Sequence, residues 1–301
     1  MVFMNAYPIL KPRALRAMLT ALSTLTTALL FAACTSPASG PSSVSSPASA
    51  AVNPALLDAA ISGPQRSDRA RARDVYRHPR ETLQFFELAP SQSVLEIEPG
   101  GGWYTEILAP YLRGHGQLYE AQYDGPKGPS QEAQASRAAF AGKLAAAPAI
   151  YGNVVIGTLH TGQFSGFPAD DSVDRVLTFR NIHNWIKDGQ IDANLRAFYA
   201  ALKPGGLLGV EEHRAAPGTS LQQTIDTGYV TEAYVIEHAR AAGFELAGRS
   251  EVNANPRDTK NYPNGVWSLP PTYEGGDVDR ATYAAIGESD RMTLRFVKPA
   301  H

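Results

Sequence analysis

Three short stretches of this chain gather side chains that can hold a charge or move a proton. Glu96-Ile97-Glu98-Pro99-Gly100-Gly101-Gly102-Trp103-Tyr104 sets two carboxylates against three glycines. Phe179-Arg180-Asn181-Ile182-His183-Asn184-Trp185 carries a guanidinium, an amide and an imidazole. Glu211-Glu212-His213-Arg214 adds two carboxylates and a second histidine. An imidazole, with an ordinary pKa of about 6.5, can accept a proton near neutral pH, so His183 is either a general base or a histidine that ties its loop to the backbone. Glu212 and His213 are candidates for orienting a substrate or His183 itself. Glycines let a backbone come close to a ligand. A carboxylate within such a turn repels phosphate and tolerates a cation. His183, His213 and a glutamate could ligate a metal, but no H-E-x-x-H or cysteine pair accompanies them and no metal is expected.

The glycine turn needs a strand before it and a helix after it. Ser93–Glu96 is a short apolar or β-branched run, and Ile107, Leu108, Tyr111 and Leu112 recur at helical spacing. Further strands are expected near 117–122, 153–156, 173–179, 207–211, 244–248 and 292–297. Helices are expected across most of 54–87 and over about 191–202 and 231–242, the second of them stopped by Pro204-Gly205-Gly206. The arginines and aspartates of 67–80 read as a solvated helix face. Alternating strands and helices predict an α/β fold, a doubly wound, mostly parallel, seven-stranded sheet covered on both faces. Asn253–Asp290 is a long insert before the last strand, rich in Pro, Asn, Gly and aromatics. It is either a functional lid or a loop sealing the sheet, with Trp267 a candidate substrate contact.

The turn does not complete a dinucleotide fingerprint, because Thr105 stands at the third glycine position of G-x-G-x-x-G. No lysine follows to make a phosphate loop. With 301 residues, 44% hydrophobic residues, 19% charged residues and a net charge of −2, the chain is an ordinary globular protein without a basic block, and nucleic acid is not an expected partner. Residues 1–33 read as a signal peptide: Lys11, Arg13 and Arg16 precede an uncharged apolar run from Ala17 to Ala33. That run is short for a membrane-spanning helix of about 20 residues. Removing it takes away three positive charges and leaves −5. Residues 34–52 read as a Ser/Pro/Ala-rich tether, and 53–301 as the folded domain. Cys34, alone of its kind, excludes an intramolecular disulfide.

The stretch ending Leu30-Phe31-Ala32-Ala33-Cys34 resembles a lipobox, which implies lipidation of Cys34 and export to a bacterial membrane, facing the periplasm or cell exterior. From roughly residue 93 to 212 the chain resembles the class I S-adenosylmethionine-dependent methyltransferases. Their first motif, approximately D/E-x-G-x-G-x-G, falls on Glu96, Gly100 and Gly102, with Glu98 in place of the first glycine. Their ribose-binding acid falls on Gln122, a second departure, with Glu120 and Asp124 to either side. The segments "DDSVDRVLTFRNIHNW" and "LKPGGLLGVEE" fit the third and fourth landmarks. The tail resembles exported members of a predicted-methyltransferase branch. The resemblance implies S-adenosyl-L-methionine as cofactor, held by Glu96, Glu98, Gly100, Gly101, Gly102, Tyr104, Gln122, Arg180 and Asn181. It implies a small-molecule acceptor, with O-methylation as one outcome, since Ile182-His183-Asn184-Trp185 is similar to a His-Asp-Trp segment whose histidine is a base. Cofactor supply outside the cytoplasm favours an alternative: a re-purposed, non-catalytic fold serving as a lipid-anchored envelope ligand-binding protein.

Overall fold

The computed structural model describes residues 51–168 and 170–300. The signal peptide, Cys34 and nearly all of the tether lie outside the described residues. The first helix, Pro54–Ser62, starts where Pro54 pre-sets the backbone and the Asn53 side chain accepts from the Leu56 N–H at 3.2 Å.

Eight strands form one sheet: β1 (Ser93–Ile97), β2 (Gln117–Asp124), β3 (Val154–His160), β4 (Gln163–Ser165), β5 (Val173–Phe179), β6 (Leu202–His213), β7 (Glu245–Ser250) and β8 (Arg291–Val297). Their spatial order is β4-β3-β2-β1-β5-β6-β8-β7. Neighbours from β3 through β6 run parallel, while β8 runs antiparallel to both β6 and β7. The expected seven strands are present. The eighth, β4, pairs antiparallel with the edge strand β3. It follows a two-residue turn whose Thr161 and Gly162 both have positive φ, the geometry that folds a strand straight back on its neighbour.

β6 is longer than the sequence suggests. The helix Ile191–Ala201 ends before Pro204, and Leu202 is already extended. Leu202 pairs with Val173, and the register then shifts so that Leu207 pairs with Arg175. Pro204-Gly205-Gly206 therefore lies in the bulged start of the strand, not at the helix end.

Side chains alternate across the sheet and feed two cores. Leu95, Ile97, Leu208 and Val210 pack with Trp185, Phe198 and Phe244 on one face. Val94, Leu118 and Leu177 pack with Leu57, Phe86, Ile107 and Leu108 on the other. Both faces are thus covered, as a parallel sheet requires. The alternation also decides where the carboxylates go. Glu96 falls on the face of the helix Thr105–Leu112. Glu211 and Glu212 fall on opposite faces, so the two neighbours serve different partners.

The arginine-rich segment 66–80 is not a solvated face throughout. Arg66 and Arg77 are almost fully buried, 1% and 3% exposed. Arg66 pairs with Asp74 at 2.6 Å. The insert 253–290 folds down onto the sheet. Asn253 donates to Thr82 at 2.9 Å and Thr293 at 3.0 Å, and the Tyr229 hydroxyl meets Asp258 at 3.0 Å.

Candidate functional site

A cavity of about 710 Å³ opens at the carboxyl ends of β1, β5 and β6. This is the edge where open α/β sheets place their ligands. The turn after β1 forms its floor. The segment 67–77 and the insert residues Trp267, Pro270 and Pro271 form further walls.

In the turn, Glu98, Gly100 and Gly102 all take the left-handed conformation, with φ of 49°, 57° and 80°. Glycine adopts it freely, whereas a side chain there costs about 1–2 kcal/mol. The Glu98 N–H is tied to the Ala121 carbonyl at 2.8 Å, and Gly102 to Pro99 at 2.9 Å. Positions 100 and 101 have nothing within 4 Å of where a Cβ would stand, and both line the cavity. Gly102 is different. A Cβ there would meet the Phe140 ring at 2.9 Å, so this glycine lets the helix Gln131–Ala146 pack closely. It does not line the cavity.

The β1 side of the cavity is acidic. Glu98 has a buried Oε2 with no hydrogen-bond partner among the described residues. Burial pushes its pKa up to about 7, against opposing pulls from His183 and Arg137. Glu96 accepts from the Thr105 hydroxyl at 2.9 Å and stands beside Glu120, its register partner on β2. Burial raises both, Glu96 to about 7 and Glu120 well above the ordinary range, where repulsion from Glu96 adds to it. Gln122 does not reach the cavity, and its amide nitrogen is buried with no partner among the described residues. Next to it, Asp124 is held by Arg137, and the Tyr123 hydroxyl by Asp188 at 3.0 Å.

The opposite side is basic. Glu211 is fully buried on β6. Arg180 lies 3.1 Å from it, Arg291 3.3 Å, and the Tyr104 hydroxyl donates to it at 2.9 Å. Burial alone would raise the Glu211 pKa, but Arg180 and Arg291 outweigh it and hold the carboxylate below its ordinary range. Tyr104 stacks on Phe179 with centroids 3.5 Å apart. Glu288, just before β8, takes Arg73 at 2.5 Å, Arg77 at 3.1 Å and Arg291. These arginines likewise hold Glu288 well below the carboxylate range. Asn181 spends its amide nitrogen on the Ile97 carbonyl at 2.8 Å, which ties the end of β5 to the end of β1.

Between the two sides stands His183, on the helix Ile182–Lys187. Its Nδ1 lies 3.1 Å from Glu212 Oε1. Glu212 is wholly buried beneath it and off the cavity wall. The same carboxylate accepts the Ile182 N–H at 2.6 Å and the His213 N–H at 2.8 Å. The Trp267 ring lies 5.9 Å from His183 and the His213 ring 5.4 Å. His213 meets Ser289 Oγ at 2.6 Å. Burial, reinforced by His183 and nearby arginines, lowers its pKa well below the usual histidine value and keeps it neutral. Potential ligand atoms of His183, Glu212 and His213 lie within 4.8 Å of one another. The Glu212 oxygens are already engaged by backbone N–H groups, and the arginines nearby oppose a cation.

The structure therefore brings Glu96, Glu98, Gly100, Gly101, Tyr104, Arg180, Asn181, His183, His213 and Trp267 to one cavity. Gly102, Gln122 and Glu212 stand off it. Arg73, Arg77, Glu288 and Arg291 are cavity residues that the sequence reading missed. Their pairs span as many as 215 positions, so no local spacing could have revealed them.

No protein-family model matches the chain, and no curated protein matches it. Among solved structures, a candidate sarcosine dimethylglycine methyltransferase from Galdieria sulphuraria superposes with a TM-score of 0.52 at 10% identity, covering 77% of this chain and 88% of that one. The [4+2]-cyclase SpnF superposes with a TM-score of 0.51 at 19% identity, covering 82% and 92%. At such identities the likeness is one of fold: the domain has the Rossmann-like methyltransferase fold.

Proposed function

We propose that the domain is a methyltransferase that uses S-adenosylmethionine and acts on a small-molecule acceptor. The observation that carries this reading is Glu98, whose Oε2 is buried without a partner among the described residues, beside the open backbone of Gly100 and Gly101. A buried carboxylate without a partner is costly and is relieved by a cation. That chemistry suits the ammonium and sulfonium of the cofactor and disfavours a phosphate. The fit is good for the amino-acid end and weaker for the ribose, because Gln122 offers no carboxylate at the cavity and Asp124 is already paired.

When bound, S-adenosylmethionine supplies a methyl group on a cationic sulfur. Glu96 and Glu98 would hold the positive groups, and Gly100 and Gly101 would admit them to the backbone. Tyr104, Phe179 and Trp267 would keep water out. Glu212 fixes the imidazole of His183, which would take the proton of a hydroxyl acceptor, and this supports O-methylation. With the N-terminal signal and Cys34, the enzyme would work outside the cytoplasm, anchored to a membrane by lipid. No helix of the described residues is long and apolar enough to cross one.

The second reading, a re-purposed fold that binds an envelope ligand without methyl transfer, is favoured by the withdrawal of Gln122 and Asp124 from the cavity. A cyclase shares the fold, so the fold alone does not fix the reaction. Calorimetry of the purified full-length protein decides between them. Binding of S-adenosylmethionine or S-adenosylhomocysteine with one-to-one stoichiometry is expected. Absence of heat and of competition at millimolar ligand would reject the methyltransferase reading and favour the second.

A further inference from the structure

The arginine side of the cavity carries more positive charge than the carboxylates around it can neutralise. Arg73, Arg77, Arg180 and Arg291 converge on only Glu211 and Glu288. The forks are not all used. Arg291 spends its nitrogens on Glu211, Glu288, Ser289 and the Tyr76 carbonyl. Arg77 gives only its Nε, to Glu288, and Arg73 likewise. Arg180 gives only Nη1, to Glu211. Among the described residues nothing accepts from the terminal nitrogens of Arg73 and Arg77 or from Arg180 Nη2.

Arg77 makes the case sharpest. Its residue is 3% exposed, it lines the cavity, and its guanidinium lies 4.7 Å from the centroid of the Trp103 ring. A guanidinium so placed loses most of its water, and desolvation followed by repulsion from Arg180 lowers its pKa well below the ordinary value. A second anion would relieve both costs. The planar fork of arginine suits carboxylate and phosphate oxygens in particular.

The geometry points to an oxyanion site formed by Arg73, Arg77 and Arg180, which receives a carboxylate or phosphate carried by the acceptor molecule. It lies across the cavity from Glu96 and Glu98, with His183 between the two. It rests on the methyltransferase reading only in calling the bound molecule an acceptor. An anionic acceptor would be held by its charged end while its reactive group lies toward His183. The same chemistry has another possible source in the cofactor's own carboxylate, and the test separates them.

The full-length protein is titrated calorimetrically at low ionic strength with inorganic phosphate and, separately, with succinate. Each titration is repeated with saturating S-adenosylhomocysteine. At least one probe is expected to bind at one site, equally well with and without S-adenosylhomocysteine. Charge-assisted hydrogen bonds of this kind imply that Arg77→Gln weakens binding roughly tenfold to hundredfold. Arg77 also neutralises Glu288, so Arg73→Gln serves as the second variant. It leaves Glu288 paired with Arg77 and Arg291, and is expected to keep the thermal midpoint while weakening the probe severalfold. Failure of both probes to bind the wild-type protein overturns the proposal. So does folded Arg73→Gln protein with wild-type affinity. Displacement of the probe by S-adenosylhomocysteine, one for one, also overturns it and gives these arginines to the cofactor. If S-adenosylhomocysteine does not bind at all while the probe binds as described, the methyltransferase reading fails and the oxyanion site stands.

Discussion

His183 and Glu212 are joined at 3.1 Å across two elements, a short helix after β5 and the end of β6. The carboxylate also accepts two backbone N–H groups, so it fixes the helix start, the strand end and the imidazole together. Glu212→Ala is expected to leave these two backbone donors unsatisfied at about 1–3 kcal/mol each, a total destabilisation of roughly 2–6 kcal/mol. Urea unfolding measures it, and a loss below about 1 kcal/mol would contradict the role.

His183→Ala removes the imidazole and leaves Glu96, Glu98 and the glycine turn intact. Cofactor affinity is expected to stay within about twofold while methyl transfer falls by roughly 10²–10⁴. The assay follows labelled methyl from S-adenosylmethionine into acceptors of an envelope extract. Near-normal transfer by the variant would return His183 to a purely structural place.

The glycines of the turn are expected to separate. Gly101 has ordinary φ and open space, so Gly101→Val should change stability by less than about 1 kcal/mol yet block ligand approach. Gly102→Ala, at φ +80 and against Phe140, should cost about 2–4 kcal/mol through strain and overpacking. Denaturation and calorimetry on both variants read this directly. Intact ligand binding by Gly101→Val would place the ligand elsewhere.

Glu98 titrates near 7 in the folded chain against an ordinary 4.5. The folded state therefore holds a proton that the unfolded chain releases between these values, and this group's contribution to stability declines as pH rises from about 4.5 to 7. Glu98→Gln is expected to match the wild type near pH 4 and to exceed its stability at pH 8 by on the order of 1–3 kcal/mol. Urea midpoints across that range decide it. A cation bound beside Glu98 should also expel part of a proton near pH 7, visible as buffer-dependent binding heat.

Cys34→Ser is expected to abolish incorporation of labelled fatty acid and to release the protein from the membrane fraction. A wild-type chain that stays in the cytoplasm with residues 1–33 attached would refute the anchor.

The parallel sheet was legible because its information is local. Ser93–Glu96, Val173–Phe179 and Leu207–Glu211 each announce a strand by composition alone. β4 was not, since three residues carry no pattern and the turn at Thr161-Gly162 makes the strand. At the site, Gly100, Gly101 and His183 follow strands whose ends define the cavity, so their order in the chain carried their place. Gln122 sits in the right register on β2, but register does not say which way the sheet edge is open. Arg73 and Arg77 look like any charged helix face until Glu288 and Arg291 come to meet them.

The reversed direction of β8 has a consequence for how the protein can diversify. Because this strand runs against its neighbours, its first residue and not its last arrives at the ligand edge, and Arg291 enters the cavity directly from the insert 253–290. One wall of the cavity, from Trp267 to Ser289, therefore comes from the contiguous segment between β7 and β8. Among the described residues, no hydrogen bond or ion pair of residues 260–287 reaches β1, β5 or β6, the strands that position the glycine turn and His183. A change in the length or composition of that stretch would therefore reshape this wall of the cavity while leaving the glycine turn and His183 where they are.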